Sequence, residues 1–242
     1  MKRSTPSVMV YGETGRHPLN ISIRTRMVTY WCKLLENNDK LSSMIYKLAY
    51  YHYNNNNYNL PWLKYINTIL NDCGLPYIFQ IQNGQNTNWL KFVVKQSQID
   101  QYKQTWYADI QNSPKCINYK IFKSELAFEE YFDILNDRDA ITLCKFRTLN
   151  HMLPIERGRW FQIDRSERTC NLCNMSTIGD EFHYILECPY FENDRKNIPS
   201  SFHNRPNAIK LQSLFCTKRI STLKKLCNFI RVINDKVSPP TL

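Results

Sequence analysis

The chain has 242 residues, 43% of them hydrophobic and 13% aromatic, which excludes a disordered tail and leaves room for one large or two small domains. Its formal net charge is +11, which favours a polyanionic partner. No apolar run approaches the ~20 residues needed to cross a bilayer, and the N-terminus lacks the apolar stretch of a signal peptide, so an intracellular protein, nuclear or cytoplasmic and not secreted, is expected.

The predicted elements are mostly helical. In NISIRTRMVTYWCKLLENN, Ile23, Met27, Tyr30, Trp31, Leu34 and Leu35 share one helical face, with Asn20 placed to cap it. Residues 40–53 repeat the pattern with Leu41, Met44, Ile45 and Leu48. The Asn-rich stretch NNNNYNLP reads as a loop. Pro61 opens the next helix, with Leu63, Ile66, Ile69, Leu70 and Cys73 inward and Gly74 at its end. LPYIFQIQNG suggests a short extended run closed by an Asn83–Gly84 turn. A long helix is expected over 88–112, using Leu90, Val94, Tyr102, Trp106 and Ile110, and Ser113–Pro114 breaks it. Shorter helices follow near 116–124, 126–135 and 138–149, then a turn-rich connector marked by Pro154 and Gly158. Two more close the chain near 206–215 and 219–234.

Charge is uneven along this order. Residues 201–242 carry eight Lys/Arg against one acid, while 101–200 carry thirteen against fifteen. The expected organisation is a linker (1–19), a helical domain (20–160), a small zinc-binding unit (161–198) and a basic helical segment (199–242).

The zinc unit is read from CNLCNMSTIGDEFHYILEC, with spacing C-x2-C-x9-H-x4-C. Thiolates and imidazole are the ligands that a tetrahedral zinc ion takes, so Cys170, Cys173, His183 and Cys188 are the expected set. Gly179 is placed to reverse the chain between the pairs. Asp180 is placed to cap a helix carrying His183, and five residues of straight α-helix would turn Cys188 away from His183. Cys188 therefore belongs at the helix end, where Pro189 follows. A redox pair would follow a strand and open a helix, and would use neither His183 nor Cys188. Chance placement of core residues is the other rival. The remaining cysteines, Cys32, Cys73, Cys116, Cys144, Cys216 and Cys227, read as small core residues.

Several segments resemble the C-terminal part of the polymerase polyprotein of LINE-type (non-LTR) retrotransposons. They are VYGETGRHPLNISIRTRMVTYWCKLL, LSSMIYKLAY, TWYADIQNSPKCINYKIFK, LCKFRTLNHMLPIERGRW and CNLCNMSTIGDEFHYILECPYF. The resemblance runs from about Val10 to Phe191, and its most specific element is the Cys-Cys-His-Cys spacing. It implies a region downstream of the reverse transcriptase palm and thumb that helps hold template RNA or target DNA. Its partners would be nucleic acid and the upstream polymerase domains, and it would be no enzyme alone.

The residues agree with that last expectation. WYADI at 106–110 has Ile110 where a polymerase hairpin needs a second aspartate, so Asp109 reads as an exposed helical residue. GETG at 12–15 lacks the lysine of a phosphate loop and reads as a turn. After Cys188 only Glu192, Asp194 and Asp235 carry carboxylates, too few for a two-metal nuclease. Glu129, Asp133 and Asp137 form an acidic helical stripe, a solvated or docking face. Candidate phosphate-binding cations are Lys145, Arg147, Arg157, Arg159, Arg165 and Arg168 before the cluster, Arg195 and Lys196 after it, and Arg219, Lys224, Lys225 and Arg231 on the last helix. Trp160 beside Arg159 suits either base stacking or core packing. The alternative function is a zinc-stabilised protein-interaction module without a nucleic-acid partner. A zinc hydrolase is disfavoured, because four protein ligands leave no position for water.

Overall fold

The computed structural model describes residues 5–36, 40–55, 59–83 and 86–237. Gly84 of the expected Asn83–Gly84 turn and part of the Asn-rich loop lie outside them. The described residues are mostly helical, with no strand among them beyond the isolated bridges Thr14–Phe128 and Thr169–Ile178. None of these helices is long and apolar enough to cross a membrane.

In chain order the helices are α1 (Ser7–Thr14), α2 (Leu19–Glu36), α3 (Leu41–Asn55), α4 (Pro61–Asp72), α5 (Pro76–Ile81), α6 (Thr87–Asn112), α7 (Tyr119–Phe122) and α8 (Tyr131–Ile134). Then come α9 (Asp137–Arg147), α10 (Pro154–Trp160), α11 (Glu192–Arg195), α12 (Ser200–His203), α13 (Ala208–Phe215) and α14 (Ile220–Val237). Packing groups them into two compact units, one of residues 17–105 and one of residues 1–16 with 106–242. The expected ends at 19, 160 and 198 are not where these units divide.

The 17–105 unit is built on Val28, Trp31, Leu63, Ile66, Ile69, Leu70, Ile78, Leu90 and Val94. Helix α4 follows its expected pattern, with Pro61 at its first turn and Leu63, Ile66, Ile69 and Leu70 buried. Four expectations fail here. Helix α2 buries Ile21, Thr25, Val28, Trp31, Cys32 and Leu34, while Ile23 and Tyr30 are exposed. Thr25 can join the buried face because its hydroxyl donates to the Ile21 carbonyl at 2.7 Å, which satisfies its polar atom. Asn20 lies inside the helix and is not its cap. In α3 the buried residues are Ser43 and Tyr46, and the expected apolar face points outward. The Tyr46 hydroxyl accepts from Trp31 Nε1 at 2.7 Å and donates to Gln82, so the phenol is buried without an unmet polar atom. Residues 76–81 form α5, not an extended run, because Pro76 at the first position presets a helical φ.

The other unit joins α1 to everything after residue 105. Helix α13 packs on α7, and α14 packs on α9. Phe122 stacks on Phe215 with centroids 4.8 Å apart. At its centre lies a buried charge network formed by residues expected to be a turn, an acidic stripe and a phosphate-binding cation. Arg147 grips Glu13 with both faces of its fork, at 2.9 and 3.0 Å. It also reaches Glu129 at 3.0 Å and donates to the Phe215 carbonyl at 3.1 Å. Tyr131 donates to Glu13 at 2.6 Å, and Lys123 pairs with Glu129. The paired carboxylates hold the Arg147 guanidinium in its charged form despite complete burial. GETG is not the expected turn: Gly12, Glu13 and Thr14 are the last residues of helix α1, Gly15 caps it, and Glu13 anchors the buried charge network.

Gly15 ends α1 at φ 60°, in the left-handed region. A side chain there would also meet the Ala127 carbonyl carbon at 2.8 Å. We expect Gly15→Ala to cost about 2 kcal/mol or more, measured by chemical denaturation, from backbone strain and the clash together.

Glu129, Asp133 and Asp137 do not share a helical stripe. Helix α8 ends at Ile134, Leu135 is extended, and Asn136 caps a new helix by accepting from the Asp139 N–H at 2.9 Å. Pro154 and Gly158 lie within helix α10 rather than in a loop. Asp109 is exposed on α6, as expected.

Candidate metal centre

The cluster begins on a narrow ribbon. Cys170 N–H donates to the Thr177 carbonyl and Gly179 N–H to the Arg168 carbonyl, each at 2.8 Å. The intervening loop presents Cys170 and Cys173 on one side, and the Leu172 N–H points at the Cys170 sulfur from 3.5 Å. The left-handed residue in this loop is Ser176, at φ 51°. Gly179 does not make the reversal. It is required because a Cβ there would come within 2.8 Å of Pro154 Cγ, so the ribbon lies directly on helix α10.

Asp180 caps the next segment as expected: its carboxylate accepts from the His183 N–H at 3.0 Å. Residues His183–Glu187 then form a widened π turn, closed by the Cys188 N–H on the His183 carbonyl at 2.8 Å. A five-residue turn returns Cys188 to the side of His183. That removes the obstacle a straight α-helix would pose. Cys188 does lie at the helix end, followed by Pro189.

Together the four ligand atoms lie within 4.8 Å of one another. Cys170 Sγ is 3.9 Å from Cys188 Sγ, and Cys173 Sγ is 3.4 Å from His183 Nε2. A tetrahedral ion bound by sulfur at about 2.3 Å and nitrogen at about 2.1 Å has ligand–ligand edges of about 3.8 and 3.6 Å. The cluster can therefore hold a metal ion with little movement. Thr177 Oγ1 sits 2.9 Å from His183 Nδ1, which aims Nε2 at the three sulfurs.

The electrostatics suit a cation. Burial disfavours the charged imidazolium of His183 and lowers its pKa, so the ring stays neutral and able to ligate. Burial pushes the Cys170 thiol up, but hydrogen bonds from Tyr184 and the Leu172 N–H outweigh it and bring its pKa below the usual value. Burial, with Cys170 close by, pushes Cys188 up to about 12.

Two expected nucleic-acid contacts belong to the interior instead. Arg195 is 5% exposed and donates to the Ile185 carbonyl at 2.9 Å and the Cys188 carbonyl at 2.7 Å. It satisfies the free carbonyls at the end of the π turn and places a positive charge near the sulfurs. Arg147 is 1% exposed and committed to Glu13. Arg159 bonds Glu156 at 2.7 Å, and Arg231 bonds Asp139 at 2.8 Å. Arg168 donates to the Ile163 and Ile155 carbonyls, and Arg165 lies 3.8 Å from Asp180. These four are half-buried and tied to the fold. Lys145, Arg157, Lys196, Arg219, Lys224 and Lys225 are exposed. Trp160 is 47% exposed, which favours the surface over the core reading of that residue.

A second buried pair supports the cluster. His151 Nε2 lies 2.7 Å from Glu181, and its Nδ1 accepts from the Leu153 N–H at 3.4 Å. Asn118 donates to the other Glu181 oxygen. Burial would raise the Glu181 pKa, but the bond from His151 and the Asn118 amide outweigh it, and the pKa falls below its usual value. The spacing of the histidines gave no hint of this partner. Of the other cysteines, Cys32, Cys116, Cys144 and Cys227 are buried, as expected for core residues. Cys216 is exposed, against expectation, because it follows the end of α13.

No protein-family model, curated protein or solved structure matches this chain.

Proposed function

We propose that the chain is a nucleic-acid-binding accessory region of a LINE-type retrotransposon reverse transcriptase, stabilised by one structural zinc ion and without a polymerase or nuclease site of its own. The observation that carries the metal assignment is the four-ligand cluster, whose separations suit a tetrahedral ion. Three thiols and an imidazole favour zinc over harder cations such as magnesium or calcium. Four protein ligands close the site, so zinc would supply shape and stability rather than a reactive water.

The support for a nucleic-acid partner is the cationic surface of the unit containing the cluster. Lys196 follows α11, which packs on α14, and α14 exposes Lys224 and Lys225. Arg219 precedes α14, and Lys145 and Arg157 are exposed on α9 and α10. The segment resemblances described above agree with this reading.

Salt titration is the test. Labelled RNA or single-stranded DNA should bind purified protein with an affinity that falls about 0.7 log units per log unit of salt for each phosphate contacted. Lys224→Glu with Lys225→Glu should weaken binding and reduce that slope by about 1.4, about 0.7 for each lost contact. Absence of binding at low salt, with metal in place, sinks the reading and leaves a zinc-stabilised protein-interaction module.

A further inference from the structure

The 17–105 unit carries an open apolar groove of about 580 Å³ between α2, α3 and the start of α4. Leu34, Tyr46 and Leu63 form its floor, and Tyr30, Ala49 and Trp62 its walls. Helix α3 extends this apolar surface outward. Leu41, Met44, Ile45 and Leu48 follow the i, i+3, i+4, i+7 spacing of one face, and each is more than half exposed. A soluble chain seldom leaves so continuous a stripe uncovered unless something binds there.

Among the described residues, the charges that border the stripe have one sign. Lys40 just before α3 and Lys47 on it border the stripe, Arg26 lies four residues before Tyr30 on α2, and Lys64 follows the α4 wall; all four are exposed. The described carboxylates of this unit are engaged elsewhere. Asp72 lies 3.8 Å from Arg24, Asp100 accepts from Gln96 at 2.9 Å, and Glu36 accepts from Thr87. None of them lines the groove. A second copy would set Lys40 and Lys47 against an equally basic rim, so self-association is disfavoured.

We propose that this groove docks an amphipathic helix of another polypeptide. Its large apolar side chains fill the groove and cover Leu41, Met44 and Leu48, and its flanking Asp and Glu residues face Lys40 and Lys47. This is the helix-in-groove mode, in which spaced apolar anchors give affinity and rim charges give selectivity. The inference does not rest on the nucleic-acid reading, which concerns residues outside this unit.

The full chain can be titrated with labelled 20-residue amphipathic helical peptides that share one leucine stripe and differ only in flanks of Glu, Gln or Lys. The Glu-flanked peptide should bind at least tenfold tighter than the Lys-flanked one, with the gap narrowing as salt rises. Lys40→Glu with Lys47→Glu should invert that order. Ala49→Trp, which fills the groove, should weaken binding at least tenfold. Leu48→Ser, at an exposed position that leaves the core intact, should do the same if the tryptophan variant fails to fold. Equal binding of the three peptides overturns the proposal and reduces the surface to a non-selective apolar patch. So does absence of binding. A concentration-dependent dimer of the chain alone, broken by Leu48→Ser, overturns it in favour of a second copy.

Discussion

Arg147→Ala is expected to cost about 3–5 kcal/mol in chemical denaturation, the largest loss of any single substitution away from the metal cluster. The substitution strips Glu13 of both its Arg147 bonds and leaves that carboxylate fully buried with no cation, beside the Tyr131 and Tyr119 hydroxyls. It also frees the Phe215 carbonyl at the end of α13 and removes a cation stacked 4.7 Å from the Phe122 ring. Much of the loss is the cost of one stranded buried charge, so neutralising both partners should be milder. Glu13→Gln with Arg147→Met keeps the volume, and Glu129 retains Lys123. That double variant should recover at least half of the lost stability. A cost below about 1 kcal/mol for Arg147→Ala would show that the network is not a keystone.

Purified protein is expected to carry one zinc per chain by elemental analysis, and Cys188→Ser to reduce that to a tenth or less. Binding free energies of about 10–16 kcal/mol in small zinc-finger peptides set the scale for what an isolated site can contribute to folding. Here the cluster also leans on a larger core, since Phe191 meets Phe229 of α14 with centroids 5.9 Å apart. Chelation should therefore lower the melting temperature and expose the amides of residues 168–188 to hydrogen exchange, while the amides of α4 keep their protection. Unchanged melting after complete metal removal would mean that these thiols are core residues and not ligands.

That Cys170, Cys173, His183 and Cys188 converge was legible because spacing and residue type suffice for it. The π turn was not, since the sequence offers no marker for one extra residue in a helical turn, and only tertiary packing selects it. Where the face of a helix was misjudged, as in α2 and α3, the cause was polar residues that hide their own polarity. Thr25 bonds its own helix and Tyr46 finds Trp31, so both pass inward while isoleucine and leucine stay out. The buried charges carried a signal that charge counting overlooked. Glu13 stands four residues after Met9, Arg147 four after Leu143, and Arg195 four after Phe191, all three of them buried apolar residues. A charge placed in the apolar register of a helix is a candidate for a buried partner before it is a candidate for phosphate.

The pair Glu13 and Arg147 are separated by 134 positions in the chain. At synthesis rates of about 5–20 residues per second, Glu13 waits roughly 7–27 s before Arg147 leaves the peptidyl-transferase centre. Throughout that interval Glu13 lacks its Arg147 counter-ion, and the whole 17–105 unit is completed within it. The unit holding the metal cluster is thus assembled last, from segments on both sides of residues 17–105, and its long loop closure makes it the slow step. A nascent chain stalled before residue 147 should show a protease-resistant 17–105 unit and a freely cleaved α1.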